Sequence, residues 1–301
     1  QKYISWSSNS NFYLMWNLNN KTIVISGATN GIGKAAAIEL SKKNPRLLFT
    51  YRNQKLADEL LTEIKNLSPD TQVHSVYCDF SNQDSIKKCA DEINNLCEKI
   101  DLLINNAGVV NTSYRETNEG IENTFAVNHL GYFLFTNLLL NKLKGENETR
   151  IINVSSAAHA FVKEMQWEDI NYKSNFGQGL RCYGQSKLAN LLFTRYLAIK
   201  LSTENISVNA MHPGGVNTSL GSQNKAWYSK PLRLILKPFF RSPLKGAESI
   251  IYLATKQDDG VTGEYFFNSK IHKSSAYSKN LEEARKLWGL SEKLVAQTFD
   301  L

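Results

Sequence analysis

The chain has 301 residues, of which 42% are hydrophobic and 21% charged, and a formal net charge of +7. That is the composition of a water-soluble globular protein able to bury a full core. It contains no run of roughly 18 apolar residues that would cross a bilayer as a helix. No nucleic-acid module accompanies the positive charge, which reads as a solvated, lysine-rich surface. The four cysteines, Cys78, Cys89, Cys97 and Cys182, form no C-x-x-C pair and have no histidines at zinc spacing. They argue against a disulfide framework or a metal site, and for a reducing compartment.

The first 20 residues form an N-terminal arm in which Tyr3, Trp6, Phe12, Tyr13, Met15 and Trp16 stand among Ser and Asn. The arm is expected to pack on the domain surface, with a membrane-adjacent strip as the alternative. The chain opens on Gln1 rather than Met, which leaves room for an upstream anchor or a cleaved peptide. From residue 21 onward, β-rich runs alternate with helical patterns. Strands are predicted over Thr22–Ser26, Leu47–Tyr51, Val73–Cys78, Asp101–Asn105, Arg150–Ser155, Ser207–Met211 and Glu264–Phe267. Helices are predicted over Lys34–Lys42, Leu56–Asn66, Glu119–Leu143, Leu180–Leu201, Leu244–Ala254 and Leu281–Gln297. One more helix should start near Ser81, with Ser81 as its cap and Asp84 in its first turn. The sequon Asn153-Val154-Ser155 falls in an apparently buried strand and is read, like the others, as a chance match. Strands separated by helices predict an α/β, Rossmann-type, doubly wound sheet, mostly parallel and seven-stranded, with helices on both faces. No linker or repeat divides residues 21–301, so one domain is expected.

Three local patterns carry chemistry. The first strand runs into Gly27-Ala28-Thr29-Asn30-Gly31-Ile32-Gly33 and then a helix. Small residues let a backbone approach a pyrophosphate, and a helix N-terminus offers free N–H groups and a favourable dipole. After the second strand comes Thr50-Tyr51-Arg52-Asn53, with no acid before Asp58. A site for NAD would place an acid there to hold the ribose 2′-hydroxyl. Arg52 instead suits a 2′-phosphate, which favours NADP(H). Finally, Tyr183 and Lys187 stand at i, i+4 on one predicted helix face. A neighbouring ammonium favours a phenolate and should lower the tyrosine pKa toward the working range.

These patterns occur with others in a fixed order. Asn105-Asn106-Ala107-Gly108 follows strand four, Asn128 sits in Asn128-His129-Leu130-Gly131, Ser155-Ser156 ends strand five, and Pro213-Gly214 follows strand six. In this the sequence resembles the short-chain dehydrogenase/reductase family. Tyr51-Arg52-Asn53, the run from Tyr183 to Asn190, Gly246 to Ala254, Gly260 to Phe266 and Leu287-Trp288 resemble its NADP-dependent retinol dehydrogenase branch. The resemblance implies that Tyr183 is the general acid, that Lys187 lowers its pKa and holds the nicotinamide ribose, and that Ser156 bonds the substrate oxygen. It implies that Asn128 holds a relay water behind Lys187. It further implies a cofactor site of Gly27, Thr29, Asn30, Gly31, Ile32, Gly33, Arg52, Asp79, Asn105, Ala107, Gly108, Pro213, Gly214, Val216 and Thr218, together with Tyr183 and Lys187. The 27-residue interval from Ser156 to Tyr183 is longer than in many members of the wider family. The extra residues, about 159–180, are expected to shape the pocket entrance.

Between Thr218 and Leu244 the family places its substrate lid, here expected over about 217–244. The lid carries Trp227, Tyr228, Leu232, Leu234, Ile235, Leu236, Phe239 and Phe240 with Lys225, Lys230, Arg233, Lys237 and Arg241, and no acid in that run. Such walls suit a lipophilic carbonyl or alcohol, such as retinal, a lipid aldehyde or a steroid. The basic, apolar run 225–241 also suits an anionic membrane surface. The expected location is the cytoplasm, or the cytosolic face of a membrane such as the endoplasmic reticulum. The resemblance also implies a homo-oligomer built on long helices. The rival to an oxidoreductase is a catalytically idle NADP(H)-binding regulator or scaffold of the same fold.

Overall fold

The computed structural model describes residues 15–177, 179–216 and 241–300. Short runs of Val, Ile, Leu and Phe form β1 (Thr22–Ile25), β2 (Arg46–Tyr51), β4 (Leu102–Asn105), β5 (Thr149–Val154) and β6 (Ile206–Met211). β3 (Gln72–Tyr77) and β7 (Tyr265–Phe267) join them. The sheet order is β3-β2-β1-β4-β5-β6-β7-β8, and every pairing is parallel except the last. The eighth strand, β8 (Lys270–Ile271), pairs antiparallel with β7. It was not expected from the sequence, because two residues carry no periodicity.

Alternation along the strands splits the core into two layers. Ile23, Ile25, Leu47, Phe49, Leu102 and Ile104 face one side, where α1 (Gly31–Ser41), α2 (Gln54–Leu67) and α6 (Pro243–Thr255) cover them. Val24, Leu48, Leu103, Ile151 and Val208 face the other. There they meet α3 (Gln83–Leu96), α4 (Gly131–Leu138), α5 (Leu180–Lys200) and α7 (Leu281–Leu294). The end of the N-terminal arm belongs to the first layer. Trp16 N donates to Thr255 O (2.9 Å), Leu18 is buried, and the Arg150 guanidinium lies 4.3 Å from the Trp16 ring centre. Residues 1–14 lie outside the described residues.

Two helix expectations need correction. The cap of α3 is Asn82, whose side chain accepts from Ser85 N (2.8 Å). Ser81 instead donates its hydroxyl to Asp79 Oδ1 (2.7 Å). The expected helix over Glu119–Leu143 is broken. It begins with Asn123–Phe125, capped by Glu122 Oε2 accepting from Phe125 N (2.7 Å). A π-helical turn, Ala126–Leu130, follows, then α4 and a last short piece, Leu140–Leu143. Such wide turns inside helices often mark functional sites, and this one carries Asn128. Among the described residues no helix is long and apolar enough to cross a membrane. All four cysteines are buried and free.

α7 closes the second layer through Trp288. Its ring lies 4.8 Å from Phe133, 5.5 Å from Tyr196 and 6.1 Å from Phe193, so it joins α4 to α5. Replacing a buried tryptophan by alanine costs about 3–5 kcal/mol. Trp288→Ala should therefore lose that much stability in urea unfolding. A loss under about 1 kcal/mol would mean that α7 is not part of this core.

Candidate active site

A cleft of about 340 Å³ opens at the C-terminal ends of β1 and β4, where the strand order reverses. This is where open α/β sheets bind ligands. On the β1 side, Gly27 and Gly31 adopt φ of +65° and +57°, conformations that suit glycine. A Cβ on Gly27 would also sit 2.7 Å from Ala107 Cα, so the two loops touch backbone to backbone. Asn30 caps α1 by accepting from Gly31 N (2.7 Å), which aims the first turn of the helix into the cleft. Gly33 lets α1 approach. A Cβ there would lie 2.4 Å from Asn106 Nδ2 and 2.5 Å from Gly27 O.

Asn106 holds the two loops together. Its Nδ2 donates to Ser26 O and Gly27 O (3.0 Å each), and its backbone N donates to Ser26 Oγ (2.8 Å). Thr50 Oγ1 accepts from Gly27 N (3.1 Å). At the far end of the cleft, Arg52 Nη1 lies 3.8 Å from Asp79 Oδ1, with the Arg52 side chain largely exposed. Thr29, Ile32, Ala107, Gly108 and Pro213 also line the cleft.

Tyr183 and Lys187 line the opposite end, one helical turn apart on α5. Ser155 Oγ donates to Lys187 O (2.8 Å), which ties the end of β5 to α5. The Ser156 hydroxyl lies near the Tyr183 phenol and acts to lower its pKa, while Ser156 Oγ accepts from Ala158 N (3.1 Å). Asn128 is held on three sides. Its Oδ1 accepts from Val109 N (2.8 Å), and its Nδ2 donates to Val109 O and Ser186 Oγ (3.0 Å each). Ser186 Oγ in turn donates to Tyr183 O (2.7 Å). A Cβ on Gly108 would be 3.3 Å from Asn128 Oδ1 and 3.8 Å from Lys187 Nζ, so both groups border the same small gap.

Other expected residues stand elsewhere. Asn105 is fully buried inside the sheet, donating to Thr136 Oγ1 and Asn153 Oδ1 (2.8 Å each). Its side chain does not reach the cleft, and the wall position belongs to Asn106. Gly214 packs under Arg241, and Val216 packs against Gly246 of α6, both outside the wall. Thr218 and residues 217–240 of the expected lid lie outside the described residues. Val216 and Arg241 are paired as a short parallel bridge. The insertion after Ser156 packs on the loop after β4. Asn171 accepts from Glu122 N (2.9 Å) and donates to Gly120 O (3.1 Å). Sequence reasoning missed Asn106, Thr50 and Ser186 as holding residues. Asn106 and Ser186 were visible beside residues that were singled out; Thr50 acts only through a contact 23 residues away.

A family model described as short chain dehydrogenase matches residues 21–229. Retinol dehydrogenase 14 of Mus musculus is 37% identical over 291 residues, covering 92% of this chain and 86% of the relative. Retinol dehydrogenase 13 of Homo sapiens is 36% identical over 280 residues, covering 91% and 84%. Among solved structures, an uncharacterized protein from Mycobacterium Paratuberculosis superposes with a TM-score of 0.76 at 29% identity, covering 95% of this chain and 97% of the other.

The electrostatics differ from the expectation for the tyrosine. Burial pushes Tyr183 up, opposed only by the nearby Ser156 hydroxyl. Lys187 does not pull it down in this geometry. The ammonium is 5.8 Å from the ring centre and donates instead to Val154 O (2.9 Å). Burial pulls Lys187 itself down to about 7. Its ammonium is therefore desolvated below pH 7, and the unfolded chain binds that proton more tightly between pH 7 and the ordinary lysine value of 10.5. Stability should rise with pH across that window. Lys187→Met removes the penalty. Its melting temperature should exceed that of the wild type most clearly at pH 6–7, and the gap should narrow toward pH 10. A gap independent of pH in thermal unfolding would contradict the burial of the ammonium.

Proposed function

The chain belongs to the short-chain dehydrogenase family, in its retinol dehydrogenase-like branch, and from that premise we propose that it moves hydride between NADP(H) and a lipophilic aldehyde or ketone, or the matching alcohol. Retinal and retinol are the first substrates to test, given the names of the relatives. The observation that carries the reading is the pairing of Tyr183 and Lys187 in the wall at one end of a cleft whose other end is a glycine loop, with Ser156 near the phenol and the buried Asn128 behind Gly108.

The residues present fit a dinucleotide. Two glycines with positive φ and the start of an eleven-residue helix make a cradle for a pyrophosphate. Thr29, Asn30, Gly31 and Ile32 would hold the phosphates, and Asp79 the adenine. Ala107, Gly108, Tyr183, Lys187 and Pro213 would surround the nicotinamide end. Arg52, exposed at the cleft edge 3.8 Å from Asp79, supports NADP(H) over NAD(H), because it offers a cation to a 2′-phosphate and the end of β2 carries no acid for the ribose hydroxyls. When bound, the nicotinamide supplies the hydride chemistry.

The protein supplies the proton. A phenol whose pKa burial has raised stays protonated at neutral pH, so Tyr183 is ready to donate to a carbonyl oxygen as negative charge develops there. Ser156 would donate a second hydrogen bond to the same oxygen. Lys187, near half-charged at neutral pH, would favour the phenolate left behind only on turning its ammonium from the Val154 carbonyl that holds it here. Asn128, held on three sides, would keep a water in the gap beside Lys187 through which the proton is replaced. These states favour reduction at neutral pH, and oxidation at higher pH.

NADPH oxidation with a panel of aldehydes and ketones, all-trans-retinal included, tests the reading. Tyr183→Phe should lower kcat by about 10²–10⁴-fold while NADPH still binds. Equal turnover by both proteins would sink the assignment of Tyr183. Tight NADPH binding without turnover of any panel member would favour an idle scaffold instead. Arg52→Ala should raise KM for NADPH by roughly tenfold or more and leave KM for NADH unchanged. An equal change for both cofactors would remove the argument for NADP(H).

A further inference from the structure

Directly after β5 the chain makes a 3₁₀ turn, Ala157–Phe161. Ser156 Oγ caps it by accepting from Ala158 N (3.1 Å). His159 lies inside this turn and is 4% exposed. Both of its ring nitrogens are engaged with backbone. Nδ1 is 2.8 Å from Ser156 O, and Nε2 is 3.2 Å from Ser275 N. A backbone N–H only donates, so Nε2 must offer its lone pair and Nδ1 must carry the proton. The Nδ1–H then donates to the Ser156 carbonyl, and both contacts are satisfied by one neutral tautomer.

The surroundings keep that tautomer neutral. Burial lowers the His159 pKa, the Ser156 carbonyl opposes this, and Arg195 and His272 lower it further. Tyr265 packs edge-on at 5.2 Å and contributes no charge at neutral pH. His159 is therefore no acid or base for the reaction. It is a link.

The other end of the link is anchored. Ser275 belongs to the turn between β8 and α7, in which Ser278 Oγ donates to Ser275 O (2.7 Å). Arg195 of α5 donates to Ser278 O, to Ser278 Oγ (2.9 Å) and to Ser274 Oγ (2.9 Å). A continuous path thus runs from the Ser156 turn through His159 to the turn 274–278, and through Arg195 back to the helix that carries Tyr183 and Lys187. Ser155 fixes one side of the turn against α5. Ser155 N also donates to Met211 O (2.7 Å), and Ala158 and Phe161 pack closely on Gly184 of α5. His159 adds a tie from the turn to the 274–278 segment. We infer that His159 is a positioning residue: with the 274–278 turn it braces the Ser156 hydroxyl against the Tyr183 phenol.

This rests on the reading of Ser156 as the second donor to the substrate oxygen, and the test separates the two. Ser156→Ala, His159→Phe and His159→Asn are compared with wild type in NADPH oxidation, using the panel carbonyl that turns over fastest. Phe keeps the ring against Tyr265 and loses both hydrogen bonds. Asn can still donate to Ser156 O. Misplacing a reacting group by about 1 Å costs up to ~100-fold. His159→Phe should lower kcat by roughly 10–100-fold with KM for NADPH changed by less than about twofold, and His159→Asn should regain most of the loss. Long-range ¹⁵N–¹H spectra of the wild type should show His159 as the neutral Nδ1–H tautomer at pH 6.5, where a solvated imidazole is half protonated. Full turnover by Ser156→Ala overturns the role of Ser156, and the brace with it. A Ser156→Ala variant that is inactive beside a His159→Phe variant of unchanged kcat overturns the brace alone. So does an Nε2–H or protonated ring at pH 6.5, or a parallel rise in KM for NADPH in both His159 variants.

Discussion

At the C-terminal edge of the sheet, two loops from strands that share a register meet with no side chain between them. Gly27 after β1 and Ala107 after β4 touch through backbone, and Asn106 stitches the contact by donating to the Ser26 and Gly27 carbonyls. The glycine loop can bend toward a ligand only because this contact supports it from behind. α1 can start where it does only because Gly33 has no side chain to meet Asn106. The position of the cleft, and therefore of everything at its far end, follows from this close approach at the reversal of strand order.

The Tyr183 end is organised by a different principle. Most of its polar groups are held by backbone atoms, with the Asn128–Ser186 bond the side-chain addition. Asn128 is clamped by Val109, Ser155 by Lys187 O, and Lys187 by Val154 O. Backbone partners cannot change rotamer, so such groups are fixed before any ligand arrives. The site is also dry enough that both titrating groups lean toward neutrality. Tyr183 is held protonated, and Lys187 is drawn down toward neutral pH. An arriving hydrogen-bond partner for the lysine would compete with the Val154 carbonyl for the same ammonium.

Much of this was legible in the sequence, and the failures have physical causes. The central strands could be read because runs such as Leu47–Phe49 and Leu102–Ile104 are buried on both faces and leave no polar residue to confuse the period. α2 and α3 could be read because each has one apolar face. The stretch from Glu119 to Leu143 could not be divided correctly. Its breaks occur where Glu122 caps a buried turn and where the helix widens around Asn128, and neither leaves a polar gap in the pattern. The ordered motifs pointed to Tyr183, Lys187, Ser156 and Asn128, but sequence alone did not separate Asn105 from Asn106. One points into the sheet and the next into the cleft, as alternation at a strand end requires. His159 and Arg195 were invisible, since each acts by holding backbone far away in the chain.

The placement of Trp288 has a consequence for how the protein is made. Phe133 and Phe193 are synthesised well before the residue that covers them, and at ordinary elongation rates the interval is on the order of ten seconds. During that time Phe133 and Phe193 lack the indole that packs on them in the folded chain. The last helix thus acts as a late closure. Ribosomes that stall before it would release chains whose apolar face invites chaperones or aggregation, although every residue that lines the described cleft had already been made.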